Sequence, residues 1–195
     1  NRADLEKASA SVSIGGQAVI DGAVGPAAAS VLNVPLAAGH AAVRLVGYLA
    51  REPGWIDTGQ RADSNSAAVR GGRAGLGIDI GGGWRFDATA FAQALDVHDS
   101  QYVYEQHARS RPAQLAEPHA NNLTHASLRL AGEAGPAQIV VSSGMTWHRV
   151  SDTLDATDIA SLVAAPQTLT NDRHYRLWDN EVRASGVTGG IAAYK

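Results

Sequence analysis

The feature that most constrains this chain is a period-two alternation of apolar and polar residues that recurs along its whole length. From Trp84 the even positions read Trp84, Phe86, Ala88, Ala90, Ala92 and Ala94, and the odd ones read Arg85, Asp87, Thr89, Phe91 and Gln93. Phe91 is the single apolar residue on the polar side. Residues 70–80 repeat the pattern, with Ala74, Leu76, Ile78 and Ile80 against Arg73 and Asp79. Ile139, Val141, Met145 and Trp147 oppose Gln138, Ser142, Thr146 and His148, and Trp178, Val182 and Ala184 oppose Asp179, Glu181 and Arg183. Successive side chains of a strand point to opposite faces, so this periodicity predicts strands and not helices. Leu76, Phe86, Ile139, Val141 and Val182 are expected on one face of a continuous antiparallel sheet. Arg44, Arg73, Asp87, Gln93, Arg129 and Arg183 are expected on the other, with Arg85 and Phe86 on opposite sides.

The connections alternate in length. Short turns are expected at residues 37–40, 81–83, 132–136 and 186–190, and long polar segments at 52–65, 97–121 and 151–172. Loops of about 20 residues are unusual inside a compact soluble domain. Short turns at one end and long loops at the other are the habit of up-and-down outer-membrane barrels. Strands of about 10 to 14 residues also suit a tilted crossing of a ~30 Å hydrocarbon layer better than the short strands of sandwiches. The fold expected is therefore all-β: an antiparallel up-and-down meander forming a segment of a transmembrane β-barrel, with about eight or nine strands.

Composition agrees with a wall more than with a packed core. The chain has 21 glycines but only 2 Phe and 1 Met, and 18% of its residues are charged, below the roughly 25% usual for soluble domains. The net charge of -3 and the lack of any basic block give nucleic acid no footprint. Cysteine is absent, which excludes disulfides and thiolate metal sites. The opening residues, Asn1 to Lys7, do not read as a signal peptide, and the most apolar stretch, residues 27–50, is broken by Asn33, Pro35, His40 and Arg44. No run approaches the ~18 apolar residues of a membrane helix.

No residue pattern calls for catalysis. His98, His107, His119, His125 and His148 do not fall at the close spacings of zinc ligands. Asp152, Asp155 and Asp158 lack the glycine-centred loop and distal Glu of a calcium hand. Ser142-Ser143-Gly144 has no nucleophile elbow around it, and Gly81-Gly82-Gly83 lacks the Lys-Ser/Thr of a phosphate loop. The chain is read as not an enzyme, with no metal and no cofactor. Gly71, Gly75, Gly77 and Gly144 on the polar side fit a wall packed against something inside it, or equally bulges and bends. Trp84, Trp147 and Trp178 are expected near strand ends on the apolar face, as an interfacial girdle requires, the alternative being a sandwich core. Trp55, Tyr102, Tyr104, Arg109 and Arg111 fall in the long loops, where aromatic and guanidinium groups are common ligand contacts and equally common packing residues.

Several phrases add a family. Asn33-Val34-Pro35-Leu36, followed by the stretch from Ala42 through Arg44, Gly47 and Tyr48 to Asp57, resembles the early barrel hairpin and first large loop of TonB-dependent outer-membrane receptors. Asp99-Ser100-Gln101-Tyr102, the phrase from Leu154 to Asp158 and the phrase from Asn180 to Ser185 are similar to later strand-edge phrases in the same order. The resemblance covers most of residues 8–185. It implies a barrel of about 22 strands with a plug domain inside, placed in the bacterial outer membrane. It further implies uptake of an iron chelate, vitamin or saccharide driven by an energy-coupling protein that acts through the plug. No plug is recognisable here, so residues 1–195 are expected to form one partial barrel domain. Its partners would be outer-membrane lipid and an unidentified small molecule. The competing reading is a soluble, secreted β-sandwich or solenoid for binding or adhesion, which would turn its apolar faces inward.

Overall fold

The alternating segments become strands of one antiparallel meander. The computed structural model describes residues 2–112, 115–157 and 165–186. Among these, eight long strands form a single sheet: β1 (Ser9–Ala18), β2 (Val24–Ala37), β3 (Ala41–Glu52), β5 (Ala67–Gly81), β6 (Trp84–Val97), β8 (His119–Ala134), β9 (Ala137–Asp155) and β10 (Thr168–Gly186). Each pairs with the next in that order, so no connection crosses over. Two short segments in the loops, β4 (Asp57–Thr58) and β7 (Ser110–Arg111), pair with each other in parallel. The sheet does not close into a barrel: β1 and β10 are its edges among the described residues.

The registers place the two faces as the alternation predicts. Residues paired across antiparallel strands share a face. One row reads Ala41, Ile78, Phe86, Leu130, Val141 and Val182, and the next but one along the strands reads Leu45, Ala74, Ala90, Ala126, Met145 and Trp178. Opposite parity gives Arg44, Gly75, Thr89, Ser127, Gly144 and Asp179, then Val46, Arg73, Phe91, His125, Thr146 and Leu177. Arg129 pairs with Asp87, and Arg183 has the same parity. Burial separates the faces too. Leu45, Leu49, Leu128, Val141 and Trp147 are exposed, while Arg44, Tyr48, Ser127, Arg129 and His148 are half-buried. The polar face is the more enclosed one, and the apolar face is the outer one.

The apolar rows stop at a common polar row, Leu49, Arg70, Ala94, Asn122, Arg149 and His174. Below it only β10 departs markedly, with Arg176 and Asn180 on the outer face. This limit corrects the expected place of two tryptophans. Trp84 opens β6, but Trp147 and Trp178 lie inside strands of 19 residues each. Both strands continue past the apolar rows, because Thr153, Thr168 and Thr170 extend the pairing as β-branched residues do readily. Ser151 to Asp155 and Thr168 to Asp172, expected in a loop, are thus strand.

At one end, tight turns join β5 to β6 through Gly82-Gly83 and β8 to β9 through Gly135-Pro136. Gly82 and Gly83 have φ of 62° and 77°, the left-handed pair that a two-residue hairpin needs to match the twist of its strands. The opposite end carries the long loops, described at residues 53–66, 98–112, 115–118, 156–157 and 165–167. One connection at that end is short, the turn 19–23 between β1 and β2, so the alternation is not strict. The turn expected at 186–190 lies, beyond Gly186, outside the described residues, as does Asp158.

Residues 2–7 form an arm laid across the polar face at the tight-turn end. Asn33, fully buried, receives the Asp4 N–H at 2.9 Å and donates to the carbonyls of Asp4 and Lys7 at 2.8 Å each. Gly39 N–H donates to the Leu5 carbonyl at 2.9 Å, and the Arg85 guanidinium donates to that of Ala3 at 2.8 Å. Arg2 reaches Asp87 at 3.5 Å. Among the described residues the buried apolar side chains are Ala3, Ala42, Pro53, Ile56, Ala67 and Val150. A single sheet layer has no second layer to bury against, so backbone pairing and whatever covers its faces must hold it.

Candidate functional site

Most of the buried polar groups collect where the long loops meet, at the end opposite the tight turns. Loop 53–66 folds on Asn65, whose Oδ1 accepts the N–H groups of Trp55 and Ile56 at 2.7 and 2.8 Å. Ile56 is fully buried beneath it. Asp57 N–H donates to the Arg109 carbonyl at 2.8 Å, which tethers this loop to the next through β4 and β7. Ser66 and His98 are joined by a 2.8 Å side-chain hydrogen bond across the bases of the two loops.

Two ion pairs lock this cap. Arg61 donates to Asp99 at 2.9 Å and to the Leu115 carbonyl at 3.1 Å. Asp99 also accepts the N–H groups of Ser100 and Glu117 at 2.9 and 3.0 Å. Arg111, whose side chain is 0% exposed, pairs with Glu117, which further accepts from Ser100 Oγ and from Asp155 N–H. Burial pushes both carboxyls up, but the hydrogen bonds outweigh it. Those from Glu117 N–H and Arg61 hold Asp99 below its ordinary value, and those from Ser100, Arg111 and Asp155 N–H do the same for Glu117.

The five loop residues singled out from sequence fall into two groups. Tyr102, Tyr104 and Arg111 meet: the guanidinium lies 4.5 Å from the Tyr102 ring centre and 5.9 Å from that of Tyr104. The two rings pack edge to face at 5.7 Å. Burial raises the Tyr102 pKa, and the Glu117 carboxylate raises it further. The outer sides of the rings are open, with Tyr102 and Tyr104 exposed by 45% and 62%. Trp55 and Arg109 instead flank the β1–β2 turn. Arg109 donates to the Ile20 carbonyl at 2.6 Å and pairs with Asp21 at 3.5 Å. A Cβ on Gly22 would sit 3.3 Å from the Trp55 Cβ. Arg111 is the hidden member of the set, a cation under two aromatic lids.

Sequence reasoning did not single out Arg61 or Glu117. The only signal for them is charge complementarity between the long loops. Of the acidic run, Asp152 is taken up by His119 and Arg173, and Asp155 accepts the Leu115 N–H at 3.0 Å. Among the described residues no three His, Cys, Asp or Glu side chains gather as metal ligands would.

The polar face carries a second arrangement. Asp87, largely buried, is ringed by Arg85 at 2.9 Å, Arg2 at 3.5 Å and Arg129 at 3.6 Å. Above it lies a depression of about 650 Å³ lined by Arg44, Arg73, Tyr48, Phe91, His125 and Ser127 among others. Phe91, the apolar exception on the polar side, rests against the His125 ring at 5.7 Å.

No family model, no curated protein and no solved structure matches this chain, so its own geometry carries the functional reading.

Proposed function

We propose that this chain is a stretch of wall from an outer-membrane β-barrel, of the TonB-dependent receptor type that its sequence phrases resemble. The observation that carries the membrane reading is the outer face, on which apolar rows are bounded by the row containing Arg70, Asn122 and Arg149. On β9 the apolar run from Ile139 to Trp147 spans about 27 Å along the strand. At the usual tilt of about 40° it rises about 20 Å, close to the apolar band of an outer-membrane barrel. Tight turns at one end and long, mutually packed loops at the other fit a periplasmic and an extracellular side. The arm of residues 2–7 lies on the polar face, as a segment leading from the interior of a barrel would.

In this reading the polar face lines the lumen, and the exposed rings of Tyr102 and Tyr104 stand where a ligand arrives from outside. The cargo would be an iron chelate, vitamin or saccharide. The energy-coupling protein would act through a plug held inside the completed barrel. The sandwich reading needs a second layer over Leu128 and Val182, and among the described residues none lies there.

Because the chain has no cysteine, single cysteines at each position from Ala88 to Gln93 can be labelled with an environment-sensitive dye after reconstitution into liposomes. Lipid-borne quenchers should reach positions 88, 90 and 92 and spare 89, 91 and 93. Quenching without a period of two, or none at all, would reject the reading.

A further inference from the structure

We propose that the depression on the polar face is a binding site for a small organic anion, a carboxylate carried on a flat apolar body. It is assembled from five neighbouring strands, β2, β3, β5, β6 and β8. Arg44 on β3 lies directly across from Gly75 on β5, and Arg73, two positions along β5 on the same face, lies across from Val46 and Phe91. The two guanidiniums are diagonal neighbours, and among the described residues neither has a hydrogen bond or an ion pair. Like charges so placed repel unless an anion lies between them.

No carboxylate lines the depression. Asp87, one step along the strands, is already shared by Arg2, Arg85 and Arg129. Asp179 occupies the row of Arg44 but stands on β10, about 24 Å away at ordinary strand spacing. Two unpaired guanidiniums offer the forked donors that suit a carboxylate or phosphate.

The rest of the lining selects a flat body. Phe91 and His125 form an aromatic shelf of two rings beside Arg73, their centres 5.7 Å apart and their planes tilted by 39°. His125 Nδ1 is held to Thr146 Oγ1 at 2.8 Å, which fixes that ring. Tyr48 closes another side, its hydroxyl donating to Gln93 at 2.6 Å over Gly71. Gly75, across from Arg44 and Thr89 on the same face, adds no side chain between them, and a Cβ there would meet only distant atoms at 3.9 to 4.0 Å. The shelf contacts the body, the arginines take the charge, and Thr89 and Ser127 supply hydroxyls to polar substituents.

The site is independent of whether the outer face contacts lipid, so the two proposals fail separately. Benzoate, benzamide and inorganic phosphate are titrated into the full chain by calorimetry, with β content followed by circular dichroism. Benzoate should bind saturably, and benzamide should bind at least tenfold more weakly. Arg44→Gln and Arg73→Gln should each weaken benzoate at least tenfold, whereas Arg44→Lys, which keeps the charge and checks folding, should lose less. Phe91→Ala should weaken benzoate and leave phosphate unchanged. Arg70→Gln, on the opposite face and paired with Asp96, should change nothing. The proposal is overturned if benzoate does not saturate, if benzamide binds equally, if folded arginine variants bind as the parent does, or if Phe91→Ala affects neither ligand.

Discussion

Trp84 lies with its indole against the backbone of Gly132 on the neighbouring strand. A Cβ built on Gly132 would sit 2.3 Å from Cδ2 of that ring, with Cγ and Cε3 at 2.6 and 2.7 Å. The ring therefore occupies the space that a side chain at 132 would need. It covers a glycine that would otherwise weaken β8, as aromatic residues do across a strand pair. Gly132→Ala should force the indole away and destabilise the sheet by about 1–3 kcal/mol, as overpacking does. A double-mutant cycle with Trp84→Ala measures the coupling directly. Independent, additive effects of the two substitutions would show that the ring does not depend on the missing Cβ.

Glu117 is the common acceptor of the loop cap. Glu117→Gln would leave the fully enclosed Arg111 guanidinium without its anion. Removing one partner of a buried pair typically costs about 3–5 kcal/mol. The loss should be local, because the strands pair independently of the loops. Amide exchange at Ile56, Asp99 and Glu117 should accelerate strongly while the centres of β5 and β6 keep their protection. Unchanged exchange in the cap would mean that the pair contributes nothing to its closure.

The same carboxylates give the cap a pH dependence of definite sign. Asp99 and Glu117 are held below their ordinary values of 3.8 and 4.5 in the folded chain. A depressed folded pKa stabilises the folded form fully above the unfolded value, and that contribution is lost as pH falls through the folded one. The cap should be intact at neutral pH and open progressively in acid below about pH 4.5, ahead of the sheet. Fluorescence of Trp55, whose N–H is held by Asn65, reports on the cap once the other tryptophans are replaced by Phe. A change centred near neutrality would mean that these two carboxylates do not hold the cap closed.

The strands were legible because alternation is a local property, and a one-residue slip would move Phe86 and Arg85 to the wrong faces together. Gly81-Gly82-Gly83 announced its turn for a similarly local reason. The loop cap was not legible. Arg61 and Asp99 are 38 residues apart, and nothing periodic connects them. Phe91 read as an irregularity until its contact with His125 gave it a place, and that contact spans two strands. In the sequence Asn33 reads only as a polar break in an apolar stretch and as one residue of a family-like phrase, although its buried amide anchors the arm of residues 2–7.

The edges make the last prediction. Every residue of β1 and β10 is exposed, and among the described residues nothing pairs with their outer sides. In hydrocarbon each unpaired N–H or C=O costs several kcal/mol, so an open edge the length of β10 cannot persist there. Closing the eight strands on themselves would join a strand of 10 residues to one of 19. It would also crowd Arg44, Arg73, Arg129 and the arm into an interior barely wide enough for side chains. The chain by itself should therefore satisfy its edges with further copies and conduct nothing. Single cysteines at Asn171 or Asp179 on β10 should cross-link between chains in liposomes, and solute flux should stay at background. A monomer that resists cross-linking and conducts would mean that the sheet closes as a small barrel of its own.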